Sequence, residues 1–264
     1  MVLTFLGTLT GGILLALATV DPRQVAWRFF RVVTVISFSL VCLVVVAKFR
    51  YPASTGSTAW GIVLSTACAV GTLLAVFTSP FSAHRPRLFR IICALSGVCG
   101  LASLSLDWVQ ASQPASMLMK TLIVTSQVLG ALLLGNITVA WLLGHAYLTA
   151  TRMTIAPLRH FSRVLLWSVA ARVIFFSIGL LVAWLANGSG YSDLVKDLAG
   201  SWLILTLRVG VGLIAVGVFA YMVADCVRLR ATQSATGILY FGSVFAYVGE
   251  LASQHLTAEY GWPV

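Results

Sequence analysis

Apolar residues fill almost the whole chain in eight long stretches that are separated by short polar segments. A helix needs about 20 predominantly apolar residues to cross the hydrocarbon core of a bilayer, and each stretch is close to that length. The sequence therefore predicts an all-α, polytopic transmembrane helix bundle that forms a single domain over residues 1–264. The predicted spans are 2–20, 27–47, 59–79, 89–107, 117–142, 164–187, 201–225 and 235–256.

The composition agrees with this pattern, because 59% of the residues are hydrophobic and only 9% are charged. The connections between the spans are too short to hold a soluble domain, so any chemistry lies in the bundle, at its faces or on a partner. A net charge of +10 would suggest nucleic acid for a soluble protein. In this chain it indicates membrane topology instead, since Lys and Arg accumulate in cytoplasmic loops. The expected environment is a lipid bilayer.

Basic residues are concentrated around the odd-numbered connections. These hold Arg23, Arg28, Arg31, Arg85, Arg87, Arg90, Arg152, Arg159, Arg163, Arg228 and Arg230. The even-numbered connections hold Lys48, Arg50, Lys120 and Lys196, with Asp193 and Asp197 beside the last. The positive-inside rule therefore predicts that the odd connections face the cytoplasm and that both termini lie outside. The expected location is the inner (cytoplasmic) membrane.

Ionisable side chains within membrane spans are costly and often functional. Glu250 lies in the outer half of the eighth predicted span, and Arg208 lies near the outer end of the seventh. A short connection joins these spans, so we expect the two side chains at similar depth, where pairing would offset their desolvation. The pair is either a polar clasp between helices or one wall of a site for a polar headgroup such as a quinol. His255, about one turn beyond Glu250, could then help to accept the protons of an oxidised quinol.

Other polar residues within the spans have less specific predicted roles. Arg172 is expected nearer the cytoplasmic half, where it either pairs with Asp225 or extends its guanidinium to the interface. Gln127 and Asn136 are expected to form hydrogen bonds between helices. No internal repeat is evident, and all seven prolines lie in connections or at span ends, so continuous helices are expected. This pattern disfavours a secondary transporter.

Cofactor chemistry has little support in the sequence. The five cysteines lie in or beside spans without a CxxC pair, and we expect buried thiols rather than disulfides or metal ligands. A haem b would need two axial histidines at matching depth, which His84, His145, His160 and His255 do not offer. Haem b is therefore disfavoured, and no metal site is predicted. No P-loop, dinucleotide-binding fingerprint or HExxH motif occurs.

The two end spans resemble a known family. The first span reads Val2-Leu3-Thr4-Phe5-Leu6-Gly7 and continues with Gly11-Gly12, and the last contains Gly249-Glu250-Leu251. Together with eight spans and external termini, these segments are similar to the membrane-anchor subunits of dimethyl sulfoxide reductase-type molybdenum enzymes.

This resemblance implies a non-catalytic anchor that holds an iron–sulfur subunit and a molybdenum subunit at the membrane. Such an anchor exchanges electrons with a quinol pool and has no redox centre of its own. The resemblance also implies a quinol-binding site that includes Glu250, with Arg208 and His255 as neighbours. The alternative is a polytopic protein with a structural or assembly role. A b-type haem protein or a small transporter is a more distant alternative.

Overall fold

The computed structural model describes residues 2–51, 56–112, 117–149, 154–186 and 200–260. These residues contain eight helices that are long and apolar enough to cross a membrane, and they contain no strand. The predicted all-α bundle with eight spans is therefore confirmed. The helices are α1 (Val2–Thr19), α2 (Trp27–Arg50), α3 (Ala59–Thr78), α4 (Pro86–Ser112), α5 (Met117–Thr149), α6 (Ala156–Ala186), α7 (Trp202–Arg228) and α8 (Thr232–Tyr260).

Several helices begin earlier than the apolar pattern predicts. Helix α6 begins at Ala156 rather than at residue 164, and Pro157 occupies its first turn. Proline is tolerated there because the first backbone N–H groups of a helix have no intrahelical partner. Helix α4 similarly begins at Pro86. Polar and basic residues before the apolar run are thus helical. Each residue of these helices therefore lies further along the helix than a count from the predicted span start indicates.

The eight helices form two four-helix rings with the same order of contacts. In the first half, α1 and α3 each pack against both α2 and α4. In the second half, α5 and α7 each pack against both α6 and α8. The rings meet chiefly along α1 and α5, with smaller contacts between α4 and α5 and between α1 and α8. The face of the bundle that carries Val2 and Tyr260 is called the termini face below.

The junction between the halves depends on two glycines. A Cβ atom added to Gly12 of α1 would overlap the carbonyl oxygen of Ala131, and one added to Gly135 of α5 would overlap the backbone of Gly12. The two helix backbones are therefore in direct contact. Small residues permit such an approach, which gains van der Waals packing where lipid supplies no hydrophobic drive between helices.

Gly12→Ala is expected to separate α1 from α5 and to lower the free energy of unfolding by about 1–3 kcal/mol, the usual cost of overpacking. Thermal unfolding in a mild detergent measures the effect. Gly237→Ala in α8 is the matched control, because a Cβ atom there meets nothing within 4 Å. Equal unfolding temperatures for the two variants would contradict the assigned contact.

Helix α7 departs from regular geometry in its first half. Residues Leu207–Ala215 form a π-helical segment between the α-helical parts Trp202–Thr206 and Val216–Arg228. Within it, Gly212 lies against α8, where an added Cβ atom would be 2.5 Å from the Cα of Gly249. Single-turn π segments inside helices are frequent at functional sites. Here the segment contains Arg208 and contacts α8 immediately before Glu250.

Large apolar side chains cover the outer surfaces of the helices. Trp60, Phe77, Trp167, Trp202 and Tyr221 are among the most exposed. Extended apolar surface of this kind is unfavourable in water and suits contact with lipid. The helices satisfy their own backbone hydrogen bonds, as a bilayer requires. The chain is accordingly a multi-pass membrane protein.

Candidate functional site

A buried cluster of three charged side chains lies within the second half. Arg172 Nη2 of α6 lies 2.6 Å and 2.7 Å from the two carboxylate oxygens of Glu250 on α8. Arg208 Nη1 of α7 lies 3.7 Å from Glu250 Oε2. Both arginines are fully buried, and Glu250 is 2% exposed. The predicted pairing of Arg208 with Glu250 is confirmed, but the closer partner is Arg172.

Helix lengths bring Arg172 and Glu250 to one level. Arg172 lies sixteen residues after the start of α6 at Ala156, about 24 Å along the helix axis. Glu250 lies eighteen residues after the start of α8 at Thr232, about 27 Å along a helix that runs in the same direction. The neighbouring helix α5 makes room for the carboxylate, since a Cβ atom on Gly130 would overlap Glu250 Oε1.

The predicted pairing of Arg172 with Asp225 is wrong. Asp225 Oδ1 lies 2.8 Å from Arg228 Nη2 in an exposed pair at the end of α7, opposite the termini face. The apolar pattern starts the sixth predicted span at residue 164 and therefore places Arg172 too near the face opposite the termini face. With the helix starting at Ala156, Arg172 is two turns further along than the apolar pattern indicates.

The remaining donors of the two arginines are unequally satisfied. Arg172 Nη1 donates to the backbone oxygen of Ser126 at 3.0 Å and to its Oγ at 2.8 Å, and Arg172 Nη2 lies 3.3 Å from Ser253 Oγ. Arg208 Nη1 makes a long hydrogen bond of 3.4 Å to the carbonyl of Gly249. Nε and Nη2 of Arg208 have no hydrogen-bond partner among the described residues. The cluster therefore holds one more cation than anion, and three of its guanidinium nitrogens are without a partner among the described residues: Nε and Nη2 of Arg208 and Nε of Arg172.

A small polar cavity of about 20 Å³ adjoins Glu250 on the side of the termini face. Its volume suits about one water molecule. It lies between α1, α4, α5 and α8, where the two halves meet. The lining consists of Thr4, Trp108, Ile123, Ser126, Gln127, Glu250, Ser253, Gln254 and Thr257.

The third predicted site residue, His255, is half-buried on α8. It does not belong to the lining of this cavity, and the described residues show no hydrogen bond or ion pair from His255 to the charged cluster. The structure therefore brings together Glu250 and Arg208 but not His255. Its role in quinol binding stays a prediction.

The predicted hydrogen bonds between helices are confirmed at both amides. Gln127 Oε1 of α5 accepts from Ser105 Oγ of α4 at 3.0 Å. Asn136 Nδ2, also on α5, donates to Ser168 Oγ of α6 at 3.4 Å and to the carbonyl of Leu132 at 2.7 Å.

A second buried ion pair lies in the first half. Lys48 Nζ of α2 is 2.6 Å from Asp107 Oδ2 of α4, and their side chains are 4% and 8% exposed. Lys48 Nζ also donates to Ser103 Oγ at 2.5 Å. Asp107 Oδ1 accepts from the backbone N–H and the hydroxyl of Thr58 at 3.0 Å and 3.1 Å. The apolar pattern ends the second predicted span at residue 47 and places Lys48 in a connection, so the sequence does not predict this pair.

The two ion pairs occupy corresponding helices of the two rings. In each half a cation on the second helix pairs with a carboxylate on the fourth, as Lys48 with Asp107 and as Arg172 with Glu250. The first pair is neutral overall, whereas the second has Arg208 as an additional cation. Among the described residues, the buried ion pair of the first half is therefore neutral, whereas the cluster of the second half carries surplus positive charge.

The five cysteines, which were expected to be thiols, are free, and Cys68 and Cys93 are buried. Within the described ranges, no group of three or more His, Cys, Asp or Glu side chains could hold a metal ion.

The described residues define a class: an eight-span helical membrane protein with a buried ion pair in the first half and a buried cluster of three charges in the second. The chain matches no protein-family model, and no curated protein or solved structure matches it.

Proposed function

We propose that the chain is a non-enzymatic, quinol-interacting subunit of a respiratory complex in the inner (cytoplasmic) membrane. Its termini face is the outer face, in keeping with the basic connections on the opposite side. The subunit binds a hydroquinone at Glu250 and anchors an iron–sulfur subunit and a molybdenum subunit. Electrons from the hydroquinone pass to a cofactor of these partners.

The observation that carries this proposal is the juxtaposition of a buried carboxylate with spare guanidinium donors. A hydroquinone hydroxyl both donates and accepts hydrogen bonds. Glu250 offers the acceptor, and Nε and Nη2 of Arg208, which have no partner in the described part of the chain, offer donors. Ionisable side chains buried within membrane spans often mark functional sites.

The reaction at this site is a two-electron oxidation. Hydroquinone loses two electrons and two protons and becomes quinone. The electrons reduce the partner's iron–sulfur or molybdenum cofactor. Glu250 takes up the two protons in turn and releases the first to bulk water on the outer face before it accepts the second, while Arg208 stabilises the oxygen that becomes negative as each proton leaves.

A purely structural clasp is the second candidate, and two observations favour it. Both oxygens of Glu250 are already bonded to Arg172 at 2.6 Å and 2.7 Å. The adjoining cavity of about 20 Å³ holds about one water molecule, far less than a quinol ring. In this alternative the cluster fixes the relative positions of α6, α7 and α8.

Arg208→Gln separates the two functions. If the proposal is correct, the variant binds a short-chain hydroquinone about 10- to 100-fold more weakly, since hydrogen bonds to a charged group contribute about 1.5–3 kcal/mol. Isothermal titration calorimetry measures the affinity of the purified chain, in lipid nanodiscs, for a benzoquinol and for a naphthoquinol. Arg228→Gln is the matched control, because the Arg228 side chain is 78% exposed.

Wild-type protein that binds neither quinol would contradict the proposal. Equal quinol affinity of the Arg208→Gln variant and the wild type would show that Arg208 does not bind the quinol. A variant that loses thermal stability while quinol affinity stays unchanged would favour the clasp.

A further inference from the structure

Gln254 has an unusual environment for a membrane-buried amide. It is 7% exposed and lines the small cavity beside Glu250. Its Oε1 atom has no hydrogen-bond partner among the described residues. A buried acceptor without a partner is costly, whereas a water molecule in a polar cavity restores the missing bond.

The cavity provides the partners that one water molecule requires. Gln254 lies one helical turn beyond Glu250 on α8, so both side chains reach the cavity from the same face of the helix. Gln127 completes the set from α5: its oxygen accepts from Ser105 Oγ, which leaves its amide N–H groups as donors. Two acceptors and one donor thus surround a volume of about 20 Å³, which suits about one water molecule with two to four polar partners.

The position of the cavity connects the charged cluster to one side of the membrane. Thr4 lies near the start of α1, Trp108 near the end of α4 and Thr257 near the end of α8, and all three line the cavity. These helix ends belong to the termini face. The hydroxyl of Thr257 donates to the carbonyl of Ser253 at 2.8 Å, so its oxygen remains able to accept. Polar groups therefore continue from Glu250 towards that face.

We infer that a single water molecule bound between Glu250 and Gln254 carries protons between the charged cluster and the termini face. The water donates one hydrogen to the Glu250 carboxylate and the other to Gln254 Oε1. When Glu250 holds a proton, that proton passes to the water oxygen, and the hydrogen that the water no longer donates to the carboxylate leaves as a proton to bulk water at the termini face, past the Thr257 and Thr4 hydroxyls that line the route. Gln254 is a positioning residue in this transfer. The water site is inferred from the cavity and its polar lining alone, whereas its use for quinol protons rests on the proposed function.

Hydrogen exchange tests the water site without any quinol. The full chain, carrying ¹⁵N-labelled arginine in lipid nanodiscs, is transferred into D₂O, and loss of the Arg172 guanidinium signals is followed by NMR. Arg172 bonds directly to Glu250, so its protons exchange through the water that reaches this carboxylate. Gln254→Leu removes the acceptor, and we expect exchange of the Arg172 N–H groups to slow by about tenfold, the effect of one lost hydrogen bond. Unchanged exchange in this variant would overturn the inference.

Two further variants make the result specific. Gln254→Met, which is similar in length and flexible, serves where the leucine variant does not fold, and the same slowing is expected. Ile123→Val changes the apolar lining of the cavity without removing a polar group, and its exchange should equal that of the wild type. Slowing in Ile123→Val as strong as in Gln254→Leu would overturn the assignment to Gln254. If the wild type does not bind quinol, the proposed function is wrong. The hydrogen-exchange result still tests the water site, because that experiment contains no quinol.

Discussion

Glu250→Gln is expected to lower the free energy of unfolding by about 3–5 kcal/mol, the cost of breaking a buried ion pair by removing one partner. The substitution keeps the size of the side chain but removes the only anion among the cluster's three charged groups. Arg172 and Arg208, both fully buried, would then face each other without a counterion. Unfolding monitored by circular dichroism in mixed detergent and denaturant measures the change.

Glu259→Gln is the matched control for this experiment. It makes the same chemical change on the same helix, but Glu259 is exposed. Surface substitutions are usually within about 0.5 kcal/mol of the wild type. Similar stabilities for Glu250→Gln and Glu259→Gln would show that the charged cluster does not contribute to the fold. The same pair of variants, assayed for quinol binding, also separates a structural role of Glu250 from a binding role.

The spans were predictable because a bilayer imposes a strong length requirement on apolar segments. The pairing of Glu250 with Arg208 was predictable for a related reason. A short connection between two spans fixes the depths of residues on both, and a buried charge needs a partner at its own depth. These two depths follow from counting residues on either side of the short connection, so this pairing can be derived from the sequence alone.

Rotation and helix start could not be derived in that way. Arg172 meets Glu250 because α6 begins at Ala156, inside a polar stretch with a proline that resembles a connection. The π segment Leu207–Ala215 has no proline to mark it. Lys48 looked like a loop residue at the end of an apolar run, although its ammonium group turns inwards to Asp107. Long basic side chains near helix ends usually extend to the interface, so only the folded structure distinguishes the two cases.

Asp107→Asn is expected to lower the free energy of unfolding by about 3–5 kcal/mol, because the Lys48 ammonium group would stay buried without a carboxylate. Asparagine keeps an oxygen for the two hydrogen bonds from Thr58, so the loss reports chiefly on charge. Asp225→Asn is the matched control: its partner Arg228 is exposed, and exposed ion pairs contribute at most about 1 kcal/mol. Denaturant unfolding of both variants checks the difference.

The double variant Lys48→Met/Asp107→Leu gives the sharper result. Apolar residues of similar volume often replace a complete buried ion pair at little cost, so we expect much of the stability lost in Asp107→Asn to return. The equivalent double variant Arg172→Met/Glu250→Leu should show no such recovery, since Arg208 would remain buried as an uncompensated cation. Equal recovery in the two halves would mean that Arg208 gains no stabilisation from Glu250. Recovery in the first half alone would show that the surplus positive charge belongs to the second half.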